Sequence, residues 1–180
     1  SIEARIALGE PVSVRLELVN KGTNSVILIP SLDPSIGCIN YYIAHSTQEL
    51  HRFTAERWET RDTYLKASSF PPGGRLIYET FLFGQMNTNG NQTYLFRQPG
   101  RYLLVARYKS IREGIELQSN PVTIIVNEQL QGWKQLEDAG IVAHMEGRGK
   151  SNQEYAVRAT RIANILRGVE KNPYKPWFEK

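Results

Sequence analysis

Cysteine and histidine are scarce in this sequence, which has one cysteine, Cys38, and three histidines among 180 residues. A lone cysteine forms no disulfide within the chain, and together with three scattered histidines it does not make a zinc pattern. A nucleophilic cysteine would need a base beside it. We therefore expect Cys38 to be a small buried side chain in a strand, and we predict no metal ion and no other cofactor.

Long apolar runs and one-sided charge are also absent. The longest apolar stretch is the short NSVILIP at 24–30, well below the roughly 18 residues of a membrane span. Residues 1–127 contain 13 Lys/Arg and 11 Asp/Glu, and residues 128–180 contain 9 and 7, so each part carries a net charge of +2. Nucleic-acid binders usually concentrate positive charge on one face or tail. The sequence predicts no membrane span in this chain and no nucleic-acid partner.

The motifs of common catalytic sites are missing too. There is no G-x-S-x-G, and the loops PPGG and NTNGN lack the Lys-Ser/Thr of a P-loop. Glu56, Glu59 and Asp62 would serve a glycosidase only at a fixed separation across a cleft. The arginines between them indicate a solvated, charge-balanced segment instead. We predict no catalytic residue and no enzymatic activity.

The histidines do not suggest a metal site. His45 and His51 could face each other across a hairpin, but no third ligand is evident beside them. His144 lies in a stretch predicted to connect two helices. We expect all three to be exposed.

What the sequence does contain is the alternation of half-buried strands. In PVSVRLELVN (11–20), every second residue is apolar, from Val12 to Leu18. Further short strands separated by polar turns follow: CINYYIAH (38–45), ELHRF (49–53), RLIYETFLF (75–83), RYLLVARYK (101–109), GIELQ (114–118) and PVTIIVN (121–127). Short strands at this spacing predict an antiparallel β-sandwich over residues 1–127.

After residue 127 the period changes to that of helices. Residues 128–140 place Leu130, Trp133 and Leu136 three apart, and Gly140 suits the end of a helix. A second helix begins at the capping box Ser151-x-x-Glu154 and carries one apolar stripe until Asn172-Pro173 ends it. Residues 128–180 are therefore predicted to be a helical hairpin, truncated at its C-terminus.

Aromatic side chains are the main candidates for binding. Tyr41 and Tyr42 are adjacent, so in a strand one should face the core and the other the outer face. Trp58 and Tyr64 lie in a long polar loop at 54–74. These aromatics either pin the loop onto the sandwich or form a binding platform.

Leu103 and Val105 belong with these aromatics because they alternate with Tyr102 and Leu104 on strand 101–109. A solvent-facing strand face should be polar, so something should cover them: the long loop, the C-terminal helices or a partner. The predicted binding surface comprises Tyr42, Trp58, Tyr64, Leu103 and Val105.

The stretch QPGRYLLVARY resembles the penultimate strand of immunoglobulin-like sandwiches. In those domains a tyrosine at the strand start, the tyrosine corner, bonds upstream backbone. Tyr102 matches it, and Pro99 and Gly100 make the turn before it. Leu104 stands where antibody domains have a disulfide cysteine. The layout of residues 5–127 is similar to bacterial immunoglobulin-like domains of secreted proteins, and broadly to the intracellular-proteinase-inhibitor group.

The resemblance implies a non-catalytic interaction or spacer module of a larger, exported bacterial protein. Its partner would be protein, either its own longer chain or another subunit. The alternative is a carbohydrate-binding or accessory domain of a secreted hydrolase that uses the 54–74 loop. The expected location is periplasmic or secreted, with the cytoplasm as the alternative because one cysteine fits both.

Overall fold

The chain is mainly β in the residues that the computed structural model describes, which are 2–34, 38–45, 50–53, 66–86, 92–110, 114–145, 151–169 and 174. Strands lie within the first 129 residues and three short helices follow them. The prediction of a mainly β chain with a helical part is confirmed. The immunoglobulin-like topology of the strands remains a prediction.

The elements have the following bounds. The strands are β1 (Ile2–Leu8), β2 (Val12–Val19), β3 (Val26–Leu28), β4 (Ile39–His45), β5 (His51–Phe53), β6 (Ser68–Phe70), β7 (Arg75–Leu82), β8 (Gly84–Met86), β9 (Gln92–Tyr94), β10 (Gly100–Ser110), β11 (Ile115–Gln118) and β12 (Val122–Gln129). The helices are α1 (Trp133–Asp138), α2 (Ile141–Met145) and α3 (Asn152–Leu166).

One large sheet dominates the described strands. Its order is β1-β12-β10-β4-β5, with β11 paired to β10 outside this path. Three two-stranded sheets accompany it, β2-β7, β3-β6 and β8-β9. The predicted hairpin of residues 38–53 is confirmed, since β4 pairs antiparallel with β5. None of these sheets closes on itself.

The register of β4 against β10 separates two faces of the large sheet. Tyr41 lies opposite Ala106, and Tyr42 lies opposite Val105. Because side chains alternate along a strand, one face carries Tyr41 and Ala106 together with five other side chains, which are Ile39, Ile43, Tyr102, Leu104 and Tyr108. All seven are buried. We call this side the inner face and the opposite side the outer face.

Side chains from outside the large sheet pack against the inner face. The hydroxyl of Tyr108 donates a 2.9 Å hydrogen bond to the carbonyl oxygen of Ile29, just after β3. Leu16 and Leu18 of β2 line a cavity of about 80 Å³ together with Ala106 and Tyr108. Strand β2 therefore lies on the inner side of the large sheet.

Two ion pairs join β2 to β7 on the surface. Arg15 Nη1 lies 3.1 Å from Glu79 Oε1, and Arg75 Nε lies 2.9 Å from Glu17 Oε1. Three of the four side chains are at least 60% exposed and that of Glu17 is 36% exposed. We therefore expect each pair to stabilise the fold by less than about 1 kcal/mol.

The chain divides into two compact units. Unit 1 comprises residues 1–4, 13–80 and 101–124, and unit 2 comprises residues 5–12, 81–100 and 125–180. Each unit is assembled from stretches that are separate in sequence. The domain boundary predicted between residues 127 and 128 stays a prediction.

Unit 2 contains an aromatic cluster that surrounds a turn at Gly9. The rings of Tyr94 and Trp133 are 4.8 Å apart, and Phe83 stands edge-on to Trp133 at 6.3 Å. Tyr94 donates a 2.7 Å hydrogen bond to the carbonyl of Glu10, and Tyr174 donates one to the carbonyl of Gly9. The two hydroxyls thus satisfy backbone acceptors that follow the end of β1.

Gly9 fills a position that no other residue fits well. Its φ is 98°, a left-handed value that glycine adopts without steric cost. A Cβ atom there would stand 2.3 Å from Cε3 of Trp133. Backbone conformation and the tryptophan ring therefore both require glycine.

The helical part departs from the predicted hairpin. The strand β12 runs to Gln129, so the first helix begins at Trp133 and not at residue 128. The predicted connection contains α2, because Ile141 and Val142 are apolar and buried. The structure has three short helices in its described residues where the sequence predicted two.

Helix α3 begins as predicted and ends early. Ser151 Oγ accepts a 3.2 Å hydrogen bond from the backbone N–H of Glu154, which confirms the predicted N-cap. The last helical residue is Leu166, because the backbone N–H of Gly168 bonds the carbonyl of Ile165 and tightens the final turn. Of the predicted stripe, which begins at Tyr155, Ile162 and Leu166 are buried, whereas Tyr155 is 39% exposed.

The substitution Gly9→Ala tests the packing of the turn on Trp133. We expect a loss of about 3 kcal/mol, the sum of left-handed strain and overpacking. Gly73→Ala is the matched control, because Gly73 has φ 71° and the position of its added Cβ has no neighbouring atom within 4 Å. It should cost only about 1 kcal/mol. Urea denaturation measures both variants, and equal losses would contradict the packing.

Candidate interaction surface

Three of the five predicted binding residues lie on the outer face of unit 1. Tyr42 is in β4 opposite Val105, and Leu103 lies opposite Ala44. Tyr42 and Leu103 are half-buried, whereas Val105 is only 2% exposed. Val105 therefore packs within the chain, and Tyr42 and Leu103 are the accessible members. Trp58 and Tyr64 lie outside the described residues.

Tyr42 is adjacent to two arginines on neighbouring strands. The guanidinium carbon of Arg107 lies 4.5 Å from the centroid of the Tyr42 ring, a cation–π geometry. On the other side, Arg52 of β5 lies directly opposite Tyr42. Tyr42 thus has an arginine on each of the two strands that pair with β4.

Neutral side chains hold both arginines in place. Arg107 Nε donates a 3.0 Å hydrogen bond to Oε1 of Gln118, its partner on β11. Arg52 Nη2 donates to Oδ1 of Asn40. We call these five residues, Asn40, Tyr42, Arg52, Arg107 and Gln118, the Arg–Tyr cluster. Neutral acceptors orient the guanidinium groups without cancelling their charge.

Further polar residues extend along β10 on the same face. Lys109 forms a 3.2 Å ion pair with Glu116 of β11. Arg101, at the other end of the strand, lies 3.4 Å from the hydroxyl of Thr123. Of the three basic residues on this face of β10, only Lys109 forms an ion pair with a carboxylate in the described part of the chain.

Sequence reasoning identified Tyr42 and missed the arginines. The alternation of β10 places Arg107 on the same face as Leu103 and Val105, but nothing local reveals that β4 pairs with β10 in this register. The predicted pairing of β4 and β5 did offer a signal for Arg52, because consecutive antiparallel strands place residue 52 opposite residue 42.

Tyr41 precedes Tyr42 in β4 and lies on the inner face, as predicted for adjacent residues of a strand. Tyr41 is 2% exposed, and its hydroxyl has no hydrogen-bond partner among the described residues. Burial raises the pKa of Tyr41 to about 12, and the nearby Tyr78 and Asp33 contribute to that rise. Tyr78, whose pKa is also raised by burial, donates a 3.5 Å hydrogen bond to Oδ1 of Asp33. The surroundings of Tyr41 and Tyr78 therefore favour the neutral form of both side chains.

The other candidates do not form a site. Cys38 is buried, as predicted. His45 is half-buried and not exposed as predicted, with its ring 4.6 Å from that of Tyr102. His51 lies opposite Ile43. Across the described ranges, no group of three or more potential ligands could hold a metal ion. Glu56, Glu59 and Asp62 lie outside the described residues.

The prediction that His144 is exposed is wrong. It lies in α2, is 7% exposed, and stacks on Tyr155 of α3 at 4.2 Å between ring centroids. Burial lowers its pKa, and the neighbouring Arg158 lowers it further. The error follows from treating residues 141–150 as a connection, since the helix turns this side chain inward.

Tyr102 is buried, as expected of a scaffold residue. Tyr108, also on β10, donates a hydrogen bond to the backbone carbonyl of Ile29. The corner role of Tyr102, and the turn role of Pro99 and Gly100 before it, stay predictions.

No helix in the described part of the chain is long and apolar enough to cross a membrane. A comparison of the sequence with known families finds no family model that matches it, and a search of curated proteins finds no match either.

Replacing Tyr41 and Tyr108 by phenylalanine tests what each hydroxyl contributes to stability. Tyr108→Phe should cost about 1 kcal/mol, because it removes one of the two hydrogen bonds to the Ile29 carbonyl, which also accepts from the backbone N–H of Ser31. Tyr41→Phe should be neutral or stabilising, because it removes a buried polar atom that lacks a partner in the described part of the chain. Denaturation midpoints in urea measure both, and a larger loss for Tyr41→Phe would contradict the assignment.

The raised pKa of Tyr41 predicts that the free energy of unfolding falls at alkaline pH. The pKa of Tyr41 is about 12 in the folded chain and 10.0 ordinarily. Between these values the unfolded chain releases the proton that the folded chain retains, so stability falls as pH rises, by up to about 2–3 kcal/mol. Tyr41→Phe should lose less stability than the parent chain between pH 9 and pH 11. Equal losses in the two proteins would count against the shift.

Proposed function

We propose that this chain is a non-catalytic interaction module, with an immunoglobulin-like sandwich as its scaffold and a protein as its partner. The antiparallel pairing of β5, β4, β10 and β11 supports the scaffold, as does the position of β2 on the inner side of the large sheet. The contact surface is the outer face of that sheet. The resemblance to exported bacterial modules favours a location outside the cytoplasm in this proposal.

The Arg–Tyr cluster is the observation that carries the proposal. Tyrosine and arginine are enriched at interaction hot spots because each combines a large contact area with directed hydrogen bonding. Here Tyr42 is half-buried, with Arg107 over its ring and Arg52 opposite it on β5, and half-buried Leu103 lies on the same face. A preformed arrangement loses little conformational entropy when a partner binds.

The titratable groups support a non-catalytic role. Every resolved pKa shift in the described residues belongs to a tyrosine or to His144, and burial is the largest cause of each. Shifts of this origin are typical of core packing. A catalytic pair would instead show groups shifted by one another in a cleft.

Arg107 also favours a protein over a carbohydrate at this surface. Sugar rings stack on open aromatic faces, and the guanidinium of Arg107 covers one face of Tyr42. Carbohydrate binding through the 54–74 loop is the alternative, and a binding selection distinguishes the two.

Selection from a random-peptide display library tests the proposed contact surface. Peptides enriched on the full chain should bind Tyr42→Ala at least about tenfold more weakly. They should bind Arg15→Ala, altered on β2, as well as they bind the parent chain. Melting temperatures of both variants check that they fold.

Three results of this selection would contradict the proposal. One is the absence of any enriched peptide, and another is equal binding to Tyr42→Ala and to the parent chain. The third is binding of soluble oligosaccharides with an affinity that Tyr42→Ala leaves unchanged, which would favour the carbohydrate alternative.

A further inference from the structure

We infer that the Arg–Tyr cluster binds an acidic segment of a protein partner, in which two carboxylate residues flank an apolar one. This inference rests on the proposed interaction role and adds the chemistry of the partner. The charges, the unused hydrogen-bond donors and the strand spacing at the cluster support it.

Among the described residues, the arginines of the outer face bond neutral acceptors. Arg52 bonds an amide oxygen of Asn40, Arg107 bonds an amide oxygen of Gln118, and Arg101 bonds the hydroxyl of Thr123. None of these acceptors is ionised. A partner that covers these three arginine side chains therefore has to balance their charge.

The arginines also have hydrogen-bond donors left over. A guanidinium group has five N–H donors in a planar fork. The described hydrogen bonds use one nitrogen of Arg107, Nε, and one of Arg52, Nη2. Carboxylates match the remaining donors in a bidentate geometry, which is stronger than a bond to a neutral acceptor. A neutral partner would bury these charges unpaired, which is costly.

The spacing of the arginines suits two carboxylates on an extended segment. Arg52 and Arg107 lie on β5 and β10, with β4 between them. Neighbouring strands are roughly 4.8 Å apart, and Arg52 lies opposite Tyr42 whereas Arg107 lies opposite Asn40, two residues along β4. The two arginine backbones are therefore about 12 Å apart. Side chains at i and i+2 of an extended segment are about 7 Å apart and point the same way. Two such carboxylates reach both guanidiniums, and an apolar residue near them contacts Tyr42 and Leu103.

A protein segment fits better than a nucleic acid. Arg107 already covers one face of the Tyr42 ring, which removes a stacking surface for bases. Next along β10, Lys109 is paired with Glu116, and this carboxylate would repel a continuous phosphate backbone. Two separate carboxylates avoid that repulsion.

Fluorescence polarisation with short labelled peptides tests the inference on the full chain. The probe has a Glu-Leu-Glu core, and a Gln-Leu-Gln peptide of the same length controls for charge. We expect the glutamine peptide to bind at least about tenfold more weakly than the glutamate peptide. Affinity for the glutamate peptide should also fall as salt concentration rises.

Variants of the chain locate the binding. Arg52→Gln and Arg107→Gln should each weaken the glutamate peptide several-fold, and Arg107→Lys should restore only part of the affinity because lysine lacks the fork. Arg15→Gln on β2 removes the same charge from the other sheet and should change nothing. Melting temperatures confirm that each variant folds.

The outcomes separate this inference from the proposed function. Equal affinity for the two peptides, both weakened by Tyr42→Ala, would overturn the acidic partner and leave the interaction role intact. Binding that Tyr42→Ala, Arg52→Gln and Arg107→Gln all leave unchanged would overturn both. Tighter binding of an oligothymidine of equal charge, lost in Arg107→Gln, would overturn the acidic segment in favour of a nucleic acid.

Discussion

The fixed register between β4 and β10 determines what every side chain of these strands does. With Tyr41 opposite Ala106, the inner face collects Tyr102, Leu104 and Tyr108 in the core. A slip of one residue would exchange the two faces. It would bury the charge of Arg107 and expose Leu104, so both the core and the contact surface depend on this single alignment.

Buried tyrosines serve a second constraint, the need to satisfy backbone carbonyls outside the ladders. Tyr108 does so for Ile29 in unit 1, and Tyr94 does so for Glu10 in unit 2. In each case an apolar ring fills the core while its hydroxyl reaches a carbonyl where the chain leaves a strand. Tyr41 differs because its hydroxyl has no hydrogen-bond partner among the described residues. Its ring fills space in the core, and its hydroxyl adds no described hydrogen bond.

Local pattern predicted local structure well. The alternation in β2 and β10, the opposite faces of Tyr41 and Tyr42, and the cap at Ser151 all follow from residues close in sequence. The Arg–Tyr cluster could not be predicted in this way, because Arg107 meets Tyr42 through a pairing of strands that are far apart in the chain. The errors in the helical part also came from distant contacts, since burial decided that residues 141–145 form a helix and that His144 lies inside.

An NMR titration of the full chain with the glutamate peptide tests the central claim, that the β4–β10 register presents one face to a partner. The account predicts chemical-shift changes of side-chain resonances that alternate between large and small along the strands. They should be large at Tyr42, Leu103 and the Nε–H groups of Arg52 and Arg107, and small at Tyr41 and Leu104, which face the core. Equal shifts on both faces, or shifts confined to β2 and β7, would contradict it.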